Sequence, residues 1–186
     1  MIHQSYADYA WEMATEALAI DSPTGFTSRA AAWAKEAFEK LGFSATITEK
    51  GGVIADLGGS GKGLMLAAHM DTLGAMVAEI KGNGRLRLTP LGGMSPCNGE
   101  AENVRVYTRS GKVFDGTLQL CNASIHVNSD YATTNRTWNT TEVVLDETVS
   151  SADETRKLGL EVGDIVCFSG AGDISIGDTL TATTNP

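Results

Sequence analysis

The sequence predicts an α/β opening followed by a small β-barrel. Three observations predict it: two early stretches whose apolar residues recur at helical spacing, a short uninterrupted apolar run after them, and a change near Leu73 to short strands divided by glycine turns. The length of 186 residues, with 42% hydrophobic and 20% charged residues, suits one large domain or two small ones and excludes disordered, collagen-like and membrane-spanning classes.

The first helix is expected from Tyr6 to Ile20, where Tyr6, Tyr9, Ala10, Met13, Ala17, Leu18 and Ile20 fall close to a helical period. Asp21-Ser22-Pro23-Thr24-Gly25 should stop it, because the residue before proline is pushed out of the helical region. A second helix is expected from about Thr27 to Leu41, with Ala30, Ala31, Trp33, Ala34, Ala37, Phe38 and Leu41 as its apolar stripe and Gly42 as its C-cap. The period then changes to two. Ser44 to Glu49 alternates, and Val53 to Leu57 follows a Gly51-Gly52 turn. Leu64-Met65-Leu66-Ala67-Ala68 is a continuous apolar run, the pattern of a strand covered on both faces. Beyond Leu73, Ala75 to Ile80 and Arg85 to Thr89 flank the hairpin turn Lys81-Gly82-Asn83-Gly84. Val104 to Arg109 turns at Ser110-Gly111-Lys112 and returns through Val113 to Leu118. Ala132 to Thr141 is polar and reads as a loop, and Glu142 to Leu145 as a strand. Ser151-Ala152-Asp153-Glu154 is a capping box for a short helix to Leu158, and Ile165 to Phe168 is a further strand.

Composition narrows function. Lys and Arg total 14 against 23 Asp and Glu, a formal charge of −9, which opposes a nucleic-acid partner because affinity for that backbone comes from neutralising phosphates. No apolar run approaches the roughly 18 residues a membrane span needs, so no membrane partner is expected. The cysteines Cys97, Cys121 and Cys167 are odd in number and far apart, which suggests neither a disulfide framework nor a cysteine zinc site. The expected location is cytoplasmic, where the sequons at Asn122, Asn135 and Asn139 would go unused.

The sharpest chemical signal is His69-Met70-Asp71, directly after the apolar run. Ligands and catalytic groups collect at the carboxyl ends of strands in α/β sheets. A histidine there can offer an imidazole nitrogen to a metal, and an acid two residues on can steer it. By spacing alone the pair reads more often as hydrogen-bonded structural residues. Gly58-Gly59-Ser60-Gly61-Lys62-Gly63 has the composition of a phosphate loop but no helix after it, so it reads as a solvated turn. Trp11 and Trp33 fit helix core faces, while Trp138, in the polar loop, is a candidate interface anchor. Cys97 and Cys121 have no His or basic neighbour close in sequence and read as small packed residues.

A series of motifs resembles the glutamyl and deblocking aminopeptidase family, the dinuclear metallopeptidases that include the tetrahedral aminopeptidases. It comprises Ser22-Pro23-Thr24-Gly25, Leu64 through Val77 with His69-Met70-Asp71 inside it, Ile80-Lys81-Gly82-Asn83-Gly84, Leu91-Gly92-Gly93 and Asn103-Val104-Arg105-Val106. Thr108 to Lys112, Gly116-Thr117-Leu118, Ile125-His126-Val127 and Leu158 to Asp164 continue it. The resemblance implies the start of a zinc-peptidase-like α/β catalytic domain over 1–72, a β-barrel lid and dimerisation domain over 73–168, and an atypical tail over 169–186. That tail looks more like a short piece of a translational GTPase barrel. It further implies that His69 is a metal ligand and that Asp71 is the catalytic acid supporting it. Two divalent ions, zinc or cobalt, would activate a water for attack on N-terminal peptide bonds. Peptides are the implied substrates, and a homo-oligomer through the lid the implied assembly. The family's remaining carboxylates and closing histidine have no match before Pro186, and neither His3 nor His126 replaces them. The chain alone is therefore expected to be an inactive, truncated aminopeptidase; the competing expectation is a non-catalytic assembly module built on the barrel.

Overall fold

A computed structural model describes residues 4–169 and the short strands 174–176 and 180–182. The chain divides into two compact units, Met1–Thr72 and Leu73–Pro186.

The first unit opens with α1, Gln4–Leu18, none of whose residues is buried. Helix α2, Ser28–Lys40, packs on the hairpin of β1, Ala45–Ile47, and β2, Val53–Ala55, through Ala30, Ala31 and Ala45. The strands pair antiparallel, Ala45 opposite Ala55 and Ile47 opposite Val53, around a turn in which Thr48 N–H donates to Gly52 O at 2.8 Å. Small residues at this contact let the helix come close but bury little apolar area.

The run from Leu64 to Ala68 is not the buried strand its composition predicts. It is irregular and exposed, with Leu64 at 86%, Met65 at 85% and Leu66 at 79% accessibility. A strand buried on both faces needs strands beside it and helices over it. Among the described residues, β1 and β2 pair with each other and no strand pairs with 64–68. The segment regains order at its end, where Thr72 forms a parallel bridge with Pro23 and its N–H donates to Ser22 O at 2.8 Å.

The second unit is a closed six-stranded barrel. Its strands are β3, Gly74–Ile80; β4, Leu86–Leu91; β5, Asn103–Tyr107; β6, Val113–Leu120; β7, Thr141–Leu145; and β8, Ile165–Phe168. They close in the order β3-β4-β7-β6-β5-β8, every pairing antiparallel. Alternate residues point inward, so Ala75, Val77, Leu86, Leu88, Val104, Val106, Leu118, Val143 and Val166 fill the interior. A bulge between Val77 and Glu79 frees the Val77 backbone to bond the turn before β8: Val77 N–H donates to Asp164 O at 2.9 Å and Gly163 N–H to Val77 O at 2.8 Å.

Two short helices cover the barrel. Pro96–Gly99 forms α3, and Ala152–Leu158 forms α4, which starts on Ser151 as its sequence predicts. Ser151 Oγ accepts from Glu154 N–H at 3.3 Å, while Glu154 reaches back to Ser150 N–H at 2.7 Å. Thr155, on α4, donates to Gly84 O at 2.7 Å. Gly84 has a φ of +83° and faces Ser151 O closely enough that a Cβ would sit 3.2 Å from it, so this turn requires glycine twice over. Trp138, read from sequence as a candidate interface anchor, packs against the barrel core instead. Its loop is held by Arg136, whose guanidinium donates to Glu100 at 2.7 and 3.2 Å and to Tyr131 O and Thr134 O at 2.8 and 2.9 Å. The strands Ile174–Ile176 and Leu180–Ala182 form a separate antiparallel pair, β9 and β10; residues 170–173, 177–179 and 183–186 of the atypical tail lie outside the described residues.

Candidate functional site

His69 and Asp71 sit where the exposed run meets the Ser22–Gly25 loop. Helix α1 ends at Leu18, and Pro23 beyond it stands in a bridge with Thr72. Ser22 Oγ donates to Met70 O at 2.9 Å, and Thr24 Oγ1 donates to Asp71 Oδ2 at 2.7 Å. Residues some fifty positions apart are thereby fixed against one another.

The Asp71 carboxyl is held below its ordinary range, chiefly by the Thr24 hydroxyl and further by the nearby His69. His69 Nδ1 lies 2.9 Å from Asp71 O and 3.3 Å from Asp71 Oδ1. The imidazole is 85% exposed, so its Nε2 edge is open to whatever the site binds. Such a histidine, steered by a carboxylate through one nitrogen, has the arrangement of many metal-binding histidines.

The donor set goes no further. Among the described residues no group of three or more His, Cys, Asp or Glu is placed to hold a metal ion. A zinc site takes about three or more protein ligands. One histidine with one acid therefore does not fit a complete metal centre, and no hydrolytic step is assigned to these residues alone. His126 lies exposed in the barrel loop, and His3 lies outside the described residues.

A second ionic cluster was invisible in the sequence. Glu142, on β7, is 1% exposed and is paired by both Lys81 and Arg85 from the β3–β4 hairpin, Arg85 at 2.5 Å. Burial pushes its carboxyl up, but hydrogen bonds from the two cations outweigh this and hold it below the ordinary range. Lys81 Nζ also lies 3.5 Å from Cys121 Sγ, a basic neighbour 40 residues away in sequence, and the thiol that composition reads as a small packed residue is exposed. Burial, with the nearby Glu142 carboxylate, nevertheless pushes the Cys121 thiol up. Gly58 to Gly63 is an exposed turn, Gly58 N–H donating to Asp56 Oδ1 at 2.8 Å, as its composition predicts.

The chain is 38% identical over 159 residues to YhfE of Bacillus subtilis (strain 168), provisionally named an aminopeptidase, covering 84% of this chain and 46% of that protein. An aminopeptidase from the archaeon Desulfurococcus kamchatkensis superposes with a TM-score of 0.73 at 26% identity, over 89% of this chain and 44% of that one. The TET1 peptidase of Pyrococcus horikoshii, which can assemble into a tetrahedron or a large octahedral shell, shares the fold with a TM-score of 0.68 at 21% identity, over 88% and 47%. The chain thus spans less than half the length of these relatives. The match to the family of M42 glutamyl aminopeptidases runs from residue 51 to residue 182, past Phe168, where the motifs read from sequence end. It takes in the barrel and the His69–Asp71 segment together, and the chain belongs to the M42 glutamyl aminopeptidase family.

Proposed function

We propose that this chain supplies one part of a metal-dependent aminopeptidase and does not hydrolyse peptides by itself. His69 offers one ligand through Nε2, Asp71 orients it, and the remaining donors for zinc or cobalt come from outside the described residues. The observation that carries this reading is the donor count: a histidine and acid poised as a ligand pair, without a third partner among the described residues. The substrates of the completed site are peptides with a free N-terminus. The barrel joins copies of the chain into a homo-oligomer, a reading supported by the assembly of the Pyrococcus horikoshii relative. A cytoplasmic location fits three cysteines that are all free.

The test is a calorimetric titration of metal-stripped protein with zinc and with cobalt, beside His69→Ala, and an assay of glutamyl p-nitroanilide hydrolysis. The expected result is weak metal binding and no turnover. Metal-dependent hydrolysis that His69→Ala abolishes would overturn it. Sedimentation tests the assembly separately, since a dimer that forms with protein concentration and without metal is expected, and a monomer at high concentration would remove it.

A further inference from the structure

Thr24 is exposed, and nothing in its packing explains why a hydroxyl should stand there. Its Oγ1 is 2.7 Å from Asp71 Oδ2. The loop carrying it is anchored on either side, by Ser22 Oγ on Met70 O at 2.9 Å and by Thr72 N–H on Ser22 O at 2.8 Å. Thr24 therefore meets Asp71 from a fixed backbone.

A surface carboxylate ordinarily rotates freely about its last torsion. With Oδ2 held by Thr24, the other oxygen is kept toward His69, whose Nδ1 lies 3.3 Å from Oδ1 and 2.9 Å from the backbone O of the same residue. Both atoms facing Nδ1 are acceptors. A neutral imidazole has one proton to place, and two acceptors on one side draw it to Nδ1, leaving the lone pair on Nε2.

We propose that Thr24 is a positioning residue, whose hydroxyl, by holding Asp71 Oδ2, selects the His69 tautomer protonated at Nδ1 and turns Nε2 outward as an electron-pair donor. Its value to function rests on the reading of His69 as a ligand; the tautomer itself does not. Ser22 and Thr24 thus act on the site from 48 and 47 residues away without touching a metal or substrate.

Long-range proton–nitrogen correlation spectra of 15N-histidine-labelled protein in alkaline buffer, where imidazoles are neutral, report the tautomer of each of the three histidines. His69→Ala assigns its signals, and exposed His126 serves as the solvent-like reference. The wild type is expected to show His69 mainly Nδ1-protonated, unlike His126. Thr24→Val, similar in shape but without a donor, leaves only the Asp71 backbone O facing Nδ1 and should shift His69 part of the way toward the His126-like pattern, and Thr24→Ser should restore it. A His69 pattern already like that of His126 in the wild type, or one unmoved by Thr24→Val, overturns the proposal. A Thr24→Ser spectrum matching Thr24→Val, with barrel signals unchanged, also overturns it, because the methyl and not the hydroxyl would then matter. Metal binding is not measured here, so failure of the aminopeptidase reading leaves this result readable, and the reverse holds too.

Discussion

Residues 64–68 are apolar throughout while most barrel strands alternate, yet 64–68 is exposed along its length and the apolar residues of the strands fill a core. The difference lies in pairing. Each barrel strand has a neighbour on both sides, so its backbone groups are satisfied and its apolar face is covered in one step. The 64–68 run has neither, and apolar side chains without a layer to enter remain in water. Hydrophobic sequence is therefore a claim on partners, and burial follows only where the partners are supplied.

Hydrogen exchange gives the largest test of this contrast. Amides of Val104, Val106, Leu118 and Val166 should exchange at least roughly a thousandfold more slowly than those of α1 and of 64–68, since local opening of the first unit costs far less than opening the barrel. Uniform protection across both units would break the comparison. Truncation separates them energetically: Leu118→Ala should cost about 2–5 kcal/mol in urea unfolding, whereas Leu66→Ala should stay within about 0.5 kcal/mol.

Glu142→Ala should cost less, about 2–3 kcal/mol, because its partners Lys81 and Arg85 remain 28% and 37% exposed and recover some hydration. The folded carboxyl lies below its ordinary value of 4.5, so its stabilisation is complete above that value and is lost as pH falls through the folded pKa. Unfolding midpoints followed from neutral to acid should show that slope in the wild type and not in the variant. The smallest effect concerns Asp164, whose Oδ2 accepts from Glu161 N–H at 2.8 Å while its Oδ1 is buried without a partner. Burial raises this carboxyl, so its contribution is favourable below the ordinary value of 3.8 and is lost as pH rises through the folded pKa. Asp164→Asn should accordingly leave the barrel as stable or stabilise it by about 0.5–1 kcal/mol at neutral pH. A clear drop in melting temperature would contradict this account.

The barrel was legible because its signals are local. Ser151 caps α4, the turn at Gly84 and the alternation of β3 through β8 are all read within a few residues. His69 and Asp71 stood out as a candidate pair through the series of family motifs around them, since their place after an apolar run favoured a structural reading. What escaped depends on residues brought together from afar: the exposure of 64–68, the seat of Trp138 in the core, the double pairing of Glu142, and the bond from Thr24 to Asp71. Glu142 lies on a strand whose first three residues are all buried, so period-two reading gave no sign that Lys81 and Arg85 would reach it.

The Thr24–Asp71 bond closes a stretch of 47 residues. Helix α2 and the β1–β2 hairpin can each form from neighbours in sequence, but this bond must wait until the two ends of that stretch meet, at an entropic cost that grows with the logarithm of its length. The candidate site is consequently a late event in folding. Conditions that slow the encounter, such as viscosity or denaturant, should delay formation of the His69 environment after the helices and hairpin have already formed.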